Sequence, residues 1–171
     1  MDNWDVEGAH GVLNIYGALT ESTCHLEMDS AYQEIKMGET GASRLRKPGD
    51  QGTPVPFLLR LRDCLHTSTS VQSEVTETHI WSSEQIAVTM TFSSPTDKDN
   101  FNLIKVKGVS GLGLRLVHED GRNVALGQRD NPIMLNAGTN ILNFKIIPER
   151  TSAPLVVGAY RTYVYFRLNY D

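Results

Sequence analysis

Residues 158–171 read GAYRTYVYFRLNYD, and they decide the fold class. Tyr160, Thr162, Val164, Phe166, Leu168 and Tyr170 occupy one side of a period-2 pattern, and Arg161, Tyr163, Tyr165, Arg167 and Asn169 the other. Beta-branched and aromatic residues dominate the stretch, Gly158 precedes it, and the whole reads as one long, half-buried strand. Such a strand at the end of a sequence needs neighbours. Where one side finds none in its own chain, unpaired N–H and C=O groups stand above an apolar groove, and a strand from elsewhere is the natural remedy.

Working back from it, the same alternation recurs. Phe57, Leu59 and Leu61 alternate with Leu58, Arg60 and Arg62 up to Cys64, and Ile86, Val88, Met90 and Phe92 form a run that ends at the turn cluster 93–97. Phe101, Leu103 and Val106 precede Leu112, Leu114 and Leu116, with Gly108 and Gly111 between them. Glu119, Asp120 and Gly121 supply a hairpin turn before Val124 and Leu126. Ile133 and Leu135 lead to a turn at 136–138, and a strand from Ile141 to Ile147 is expected to close at Pro148. Residues 38–56 and 66–84 read as loops, the latter alternatively as an exposed edge strand. No segment keeps helical apolar spacing over three turns, and about eight short strands with turn signals between them describe an all-β sandwich.

The first residues differ from the rest. Positions 1–11 are polar, with Asp2, Asp5 and Glu7, and cannot bury enough surface to stay ordered unaided. From Ala9 onward Ala9, Gly11, Leu13, Ile15, Gly17 and Leu19 share one face, so strand conformation is expected to run from an arm into the first core strand. An ordinary first strand with a frayed end fits the same pattern, and Val6, Gly8 and Val12 offer the other register.

Composition excludes more than it selects. The chain of 171 residues is the size of one domain and carries 16 basic against 20 acidic residues without a block of like charge, which gives no support to a nucleic-acid partner. No run approaches the roughly 18 apolar residues of a membrane span, and the N-terminus lacks the pattern of a signal peptide, which reads as a mature chain. The five histidines show no metal-binding spacing, and no nucleophile–base or phosphate-binding motif is present, so neither an enzyme, a metal, a cofactor nor a small-molecule substrate is expected. Trp4 and Trp81 could stack on sugars, but packing suits each better. Cys24 and Cys64 leave three possibilities: a disulfide, two buried thiols, or part of a metal site.

A short N-terminal extension over 1–14, Cys24 closing the first strand, Cys64 some forty residues on, Gly158 fourteen residues from the end and the penultimate Tyr170 together resemble the pilins of the bacterial chaperone–usher pathway. Within that family AYQEIKMGET (31–40), FLLRLRDC (57–64) and FRLNYD (166–171) look most like the minor subunit that terminates P-type pili and anchors them in the outer membrane. The resemblance implies an incomplete immunoglobulin-like sandwich lacking its last strand, over residues 15–171, with a Cys24–Cys64 disulfide. It further implies a groove beside Gly158, Val164, Phe166, Leu168 and Tyr170. A periplasmic chaperone fills this groove first, and the extension of a neighbouring pilin then replaces the chaperone strand at an outer-membrane usher. Here the donor face falls by parity on Ala9, Gly11, Leu13 and Ile15. The implied location is a fimbrium at the cell surface, reached through the periplasm. A polymerising rod or tip pilin shares these marks; a carbohydrate-binding adhesin domain is the reading from another class.

Overall fold

The computed structural model describes residues 8–17, 23–64 and 86–170. Expectations placed on residues 1–7, on Leu19 and on 66–84 lie outside these. Among the described residues the elements are β1 (His25–Leu26), α1 (Met28–Ala31), a 3-10 turn (Ala42–Arg44), β2 (Val55–Cys64), β3 (Ile86–Ser93), β4 (Ile104–Lys105), β5 (Leu112–His118), β6 (Ile133–Leu135), β7 (Gly138–Arg150) and β8 (Tyr165–Tyr170). They form a five-stranded sheet in the order β1-β2-β7-β5-β4 and a three-stranded sheet in the order β6-β3-β8, and every ladder is antiparallel. The all-β sandwich expected from the alternation is what the chain builds.

The period-2 residues meet between the two sheets. Leu59 and Leu61 from β2, Leu114 and Leu116 from β5, Leu142, Phe144 and Ile146 from β7, and Ile86, Val88, Met90 and Phe92 from β3 are buried there. Phe144 sits at the centre, with the Phe57 ring stacked on it at 5.3 Å and the Phe92 ring edge-on at 5.2 Å. Aromatic pairs in these offset or edge geometries add about 1 kcal/mol each beyond the area they bury. The Cys24–Cys64 disulfide is formed and buried, and closes one edge of this core.

Four local readings change. Pro148 does not close its strand, because β7 runs on to Arg150. Pro148 lies opposite Leu114 of β5, and its carbonyl turns the other way to accept a bond from the Gly52 amide at 2.8 Å. The missing N–H therefore points away from β5 and past the end of β2, so no ladder bond is lost. The strand expected around Phe101–Val106 shrinks to Ile104–Lys105. The Asp97 carboxylate accepts the amides of Asp99 and Asn100 and winds 97–103 into a turn that leaves Phe101 exposed. Residues 9–17 join no strand, and their side chains are exposed. That exposure continues past residue 14 through Gly17, and among the described residues the arm's apolar face meets no core surface.

The fourth change positions the functional region. The single long strand expected from Gly158 pairs as a ladder only over Tyr165–Tyr170, against β3. Its upstream half belongs to the other sheet: Val156 and Ser110 exchange backbone bonds of 3.0 and 3.2 Å, and Arg161 and Lys107 bonds of 3.0 and 2.9 Å. The Thr162 hydroxyl adds a bond to the Lys105 carbonyl at 2.7 Å. The segment thus crosses from the edge of one sheet to the edge of the other. Glycine permits the crossing: a Cβ on Gly108 would stand 2.2 Å from the Ala159 carbonyl oxygen, at a φ of +106°, and one on Gly111 would stand 2.9 Å from the Leu155 Cα.

Candidate functional site

β8 pairs with β3 along one edge, and no strand among the described residues pairs with the other. The interior side chains of this segment, Val164, Phe166, Leu168 and Tyr170, pack against the core yet remain half-buried, while Tyr163, Tyr165 and Arg167 between them are exposed. The expected alternation is therefore present. A groove opens beside Gly158, Val164 and Phe166, whereas Leu168 and Tyr170, expected in the same groove, lie outside its lining.

That groove has a volume of about 1310 Å³. Phe57, Leu59, Phe92, Leu112, Leu116 and Ile146 lie along its floor, and Gly158–Phe166 forms one wall. Residues 32–40 form the other, a wall the sequence did not reveal. There Ile35 and Met37 turn toward the core while Glu34, Lys36 and Glu39 face solvent. The signal was present as the alternation of Ile35 and Met37, but two residues are too few to define an edge. Gln33 holds this wall in place by donating from Nε2 to the Leu58 carbonyl at 2.8 Å and the Ser30 carbonyl at 3.0 Å.

The charged side chains along the groove, Glu34, Lys36, Glu39 and Arg161, are exposed on its two walls. Burial pushes the Tyr160 phenol up, and burial does the same at Tyr170. The Tyr160 hydroxyl is buried without a hydrogen-bond partner. The charged groups that do interact lie elsewhere. Arg115 donates to both oxygens of buried Glu149 at 2.8 Å, and Gln51 adds a bond of 2.8 Å. His118 Nε2 lies 2.5 Å from Asp130 Oδ2 at the end of β5. Among the described residues no group of three or more His, Cys, Asp or Glu side chains could hold a metal ion.

The four residues expected to form a donor face are not in this groove. Ala9 and Gly11 are exposed, as are Leu13 at 87% and Ile15 at 89%. Among the described residues the structure therefore shows an apolar groove beside an unpaired strand edge, and an arm whose odd-numbered apolar side chains are exposed. A groove of this kind offers an extended segment ladder hydrogen bonds and burial of alternate side chains, and no bond-breaking chemistry.

The comparisons agree with this geometry. The fimbrial protein family matches residues 13–171. The probable major fimbrial subunit of long polar fimbriae from Escherichia coli O157:H7 is 27% identical over 169 residues, covering 96% of this chain and 86% of that protein. The PAP fimbrial minor pilin protein of Escherichia coli is also 27% identical, over 168 residues, covering 98% of this chain and 78% of that protein. The crystal structure of the P pilus rod subunit superposes with a TM-score of 0.72 at 22% identity, covering 88% of this chain and all of that one. The chain belongs to the fimbrial protein family: it is a pilin of the chaperone–usher type, a structural subunit of fimbriae on the cell surface and not an enzyme.

Proposed function

We propose that this pilin is completed and polymerised by strand donation, first from a periplasmic chaperone and then, at an outer-membrane usher, from the arm of a neighbouring pilin. The observation that carries this is the free edge of β8 beside an apolar groove, in a chain whose own arm stays outside it. The acceptor residues are Gly158, Val164, Phe166, Leu168 and Tyr170, within a domain that begins at residue 15. Residues 1–14 form the donor extension, with Ala9, Gly11, Leu13 and Ile15 inward and Ile15 at the junction. Odd-numbered parity places these side chains in the groove and turns Val12 and Asn14 outward. Seating the donor buries Leu13 and Ile15, each worth about 2 kcal/mol when fully covered. The test is incorporation of a chain with Leu13→Asp into fimbriae. Exclusion of the variant despite normal secretion supports donation, and wild-type incorporation rejects it.

The finer reading is a minor subunit that ends the fibre and anchors it at the outer membrane. What supports it is the likeness of residues 31–40, 57–64 and 166–171 to that subunit, and the 27% identity over 98% of the chain with the PAP minor pilin. A terminator donates its arm but accepts none. Without a foothold for an incoming donor, the chaperone strand must leave fully before new contacts form, which raises the barrier to exchange. Exchange on the chaperone-bound subunit with peptides copied from pilin extensions is therefore expected to be slow. Exchange at the rate of a rod subunit identifies a polymerising pilin instead.

A further inference from the structure

The outward-facing positions of the C-terminal segment carry a second row of side chains. Arg161, Tyr163, Tyr165 and Arg167 alternate along it, all exposed, with the two tyrosines at 66% and 73%. Residues two apart on an extended strand lie about 6.6–7 Å apart on one face, which is the spacing of Tyr165 and Arg167 within β8, while Arg161 and Tyr163 lie on the crossing stretch before it. Two more cations join the row through backbone pairing. Lys107 is bridged directly to Arg161, and Arg129 is bridged to Thr91, whose other neighbour is Arg167. Arg129 faces outward, because the next residue, Asp130, turns inward to His118.

Like charges directly opposite each other across a pair of strands are unfavourable, and Lys107 with Arg161 is such a pair, while Arg129 and Arg167 flank Thr91 from either side. None of the side chains of Lys107, Arg129, Arg161 and Arg167 has an acidic partner among the described residues. The chain as a whole is acidic, with a formal charge of -4, so the cations on this face stand against the average. Between and beside them lie Thr91, Ser93 and Asn169, small hydroxyl and amide groups on β3 and β8.

We propose that this face binds an acidic polysaccharide, the sugar rings lying on Tyr163 and Tyr165 and the sulfate or carboxylate groups meeting Arg129, Arg161 and Arg167. Planar guanidiniums bind oxyanions through paired hydrogen bonds, and tyrosine rings offer an apolar face with a polar tip. A protein partner would want a desolvated apolar centre, whereas the middle of this face is hydroxyl and amide, which suits a polyhydroxylated chain. Arg129 and Arg167 lie outside the groove, while Arg161, Tyr163 and Tyr165 also border it, so the ligand lies along the groove's outer rim.

The test is titration calorimetry of the full chain with a heparin oligosaccharide, with an oligogalacturonate, and with neutral dextran and a poly-glutamate peptide as controls. Binding to one or both acidic sugars, weakened by salt, and none to dextran is expected. Arg129→Gln with Arg167→Gln should weaken binding by about tenfold or more, and Tyr163→Ala with Tyr165→Ala by several-fold, with melting profiles retained. Lys47→Gln, on a distant loop, should leave binding unchanged. Absence of binding, equal loss in all variants, or poly-glutamate binding as tight as the sugars with no effect of the tyrosines would each overturn the proposal.

Discussion

Phe92 and Phe166 are cross-strand partners in β3 and β8, with ring centres 6.1 Å apart and planes tilted by 45°. Phe92 is buried, whereas Phe166 is covered on that side alone. Phe166→Asp would set a carboxylate against Phe92 and the groove floor, and is expected to destabilise the chain by about 3 kcal/mol. The denaturation midpoint measures this, and an unchanged midpoint would show that the inner row of β8 contributes nothing to the core.

The disulfide closes a loop of 40 residues between the two strand ends it joins. Restricting a loop of that length in the unfolded chain is worth about 4 kcal/mol in the chain-entropy model. Thiol titration of unfolded, unreduced protein should find no reactive thiol. Cys24→Ser with Cys64→Ser should lower stability by roughly that amount.

Glu149 gives the fold an acid limit. Burial alone would push its carboxyl up, but the hydrogen bonds from Arg115 and Gln51 outweigh this and hold it below the usual carboxylate range. A carboxylate depressed on folding stabilises fully above its unfolded value of about 4.3 and loses that contribution as pH falls through the folded value. Stability should therefore drop below about pH 4, and Glu149→Gln should remove part of that slope. At neutral pH the same substitution leaves Arg115 without its counter-charge and should cost about 3 kcal/mol. Equal acid profiles for both chains would show that other carboxylates set the limit.

Gly108→Ala tests the crossing of the C-terminal segment. The added methyl would meet the Ala159 carbonyl at 2.2 Å in a backbone region that alanine rarely adopts. A loss of at least about 2 kcal/mol is expected, larger than for Gly49→Ala, whose Cβ meets nothing within 4 Å.

Strand content was legible where alternation ran on for several residues, as in Phe57–Leu61, Ile86–Phe92 and Val164–Tyr170. These positions carry the core and the inner wall of the groove. Pro148 was misread because a sequence does not show toward which neighbour a missing N–H points. Residues 158–164 were read as part of one strand because inward and outward positions keep their parity even when the chain changes sheets. The second wall at 32–40, the bond from Gln51 to Glu149 across 98 residues, and the pairing of Lys107 with Arg161 depend on long-range contacts that no local pattern encodes. The odd-numbered apolar positions of the arm were legible, but the strand expected to run from them into the core is not formed over residues 9–17.

The sheet-crossing segment also decides how the subunit would carry tension. A strand seated along the free edge of β8 would be pulled parallel to its own axis, so its ladder bonds would bear the load together rather than opening one after another. β8 passes that load sideways into β3, while the bonds of Val156 and Arg161 to Ser110 and Lys107 tie the same polypeptide to the opposite sheet. Both layers of the sandwich would then resist stretching along the fibre axis, and the weakest point under force would lie outside the C-terminal segment.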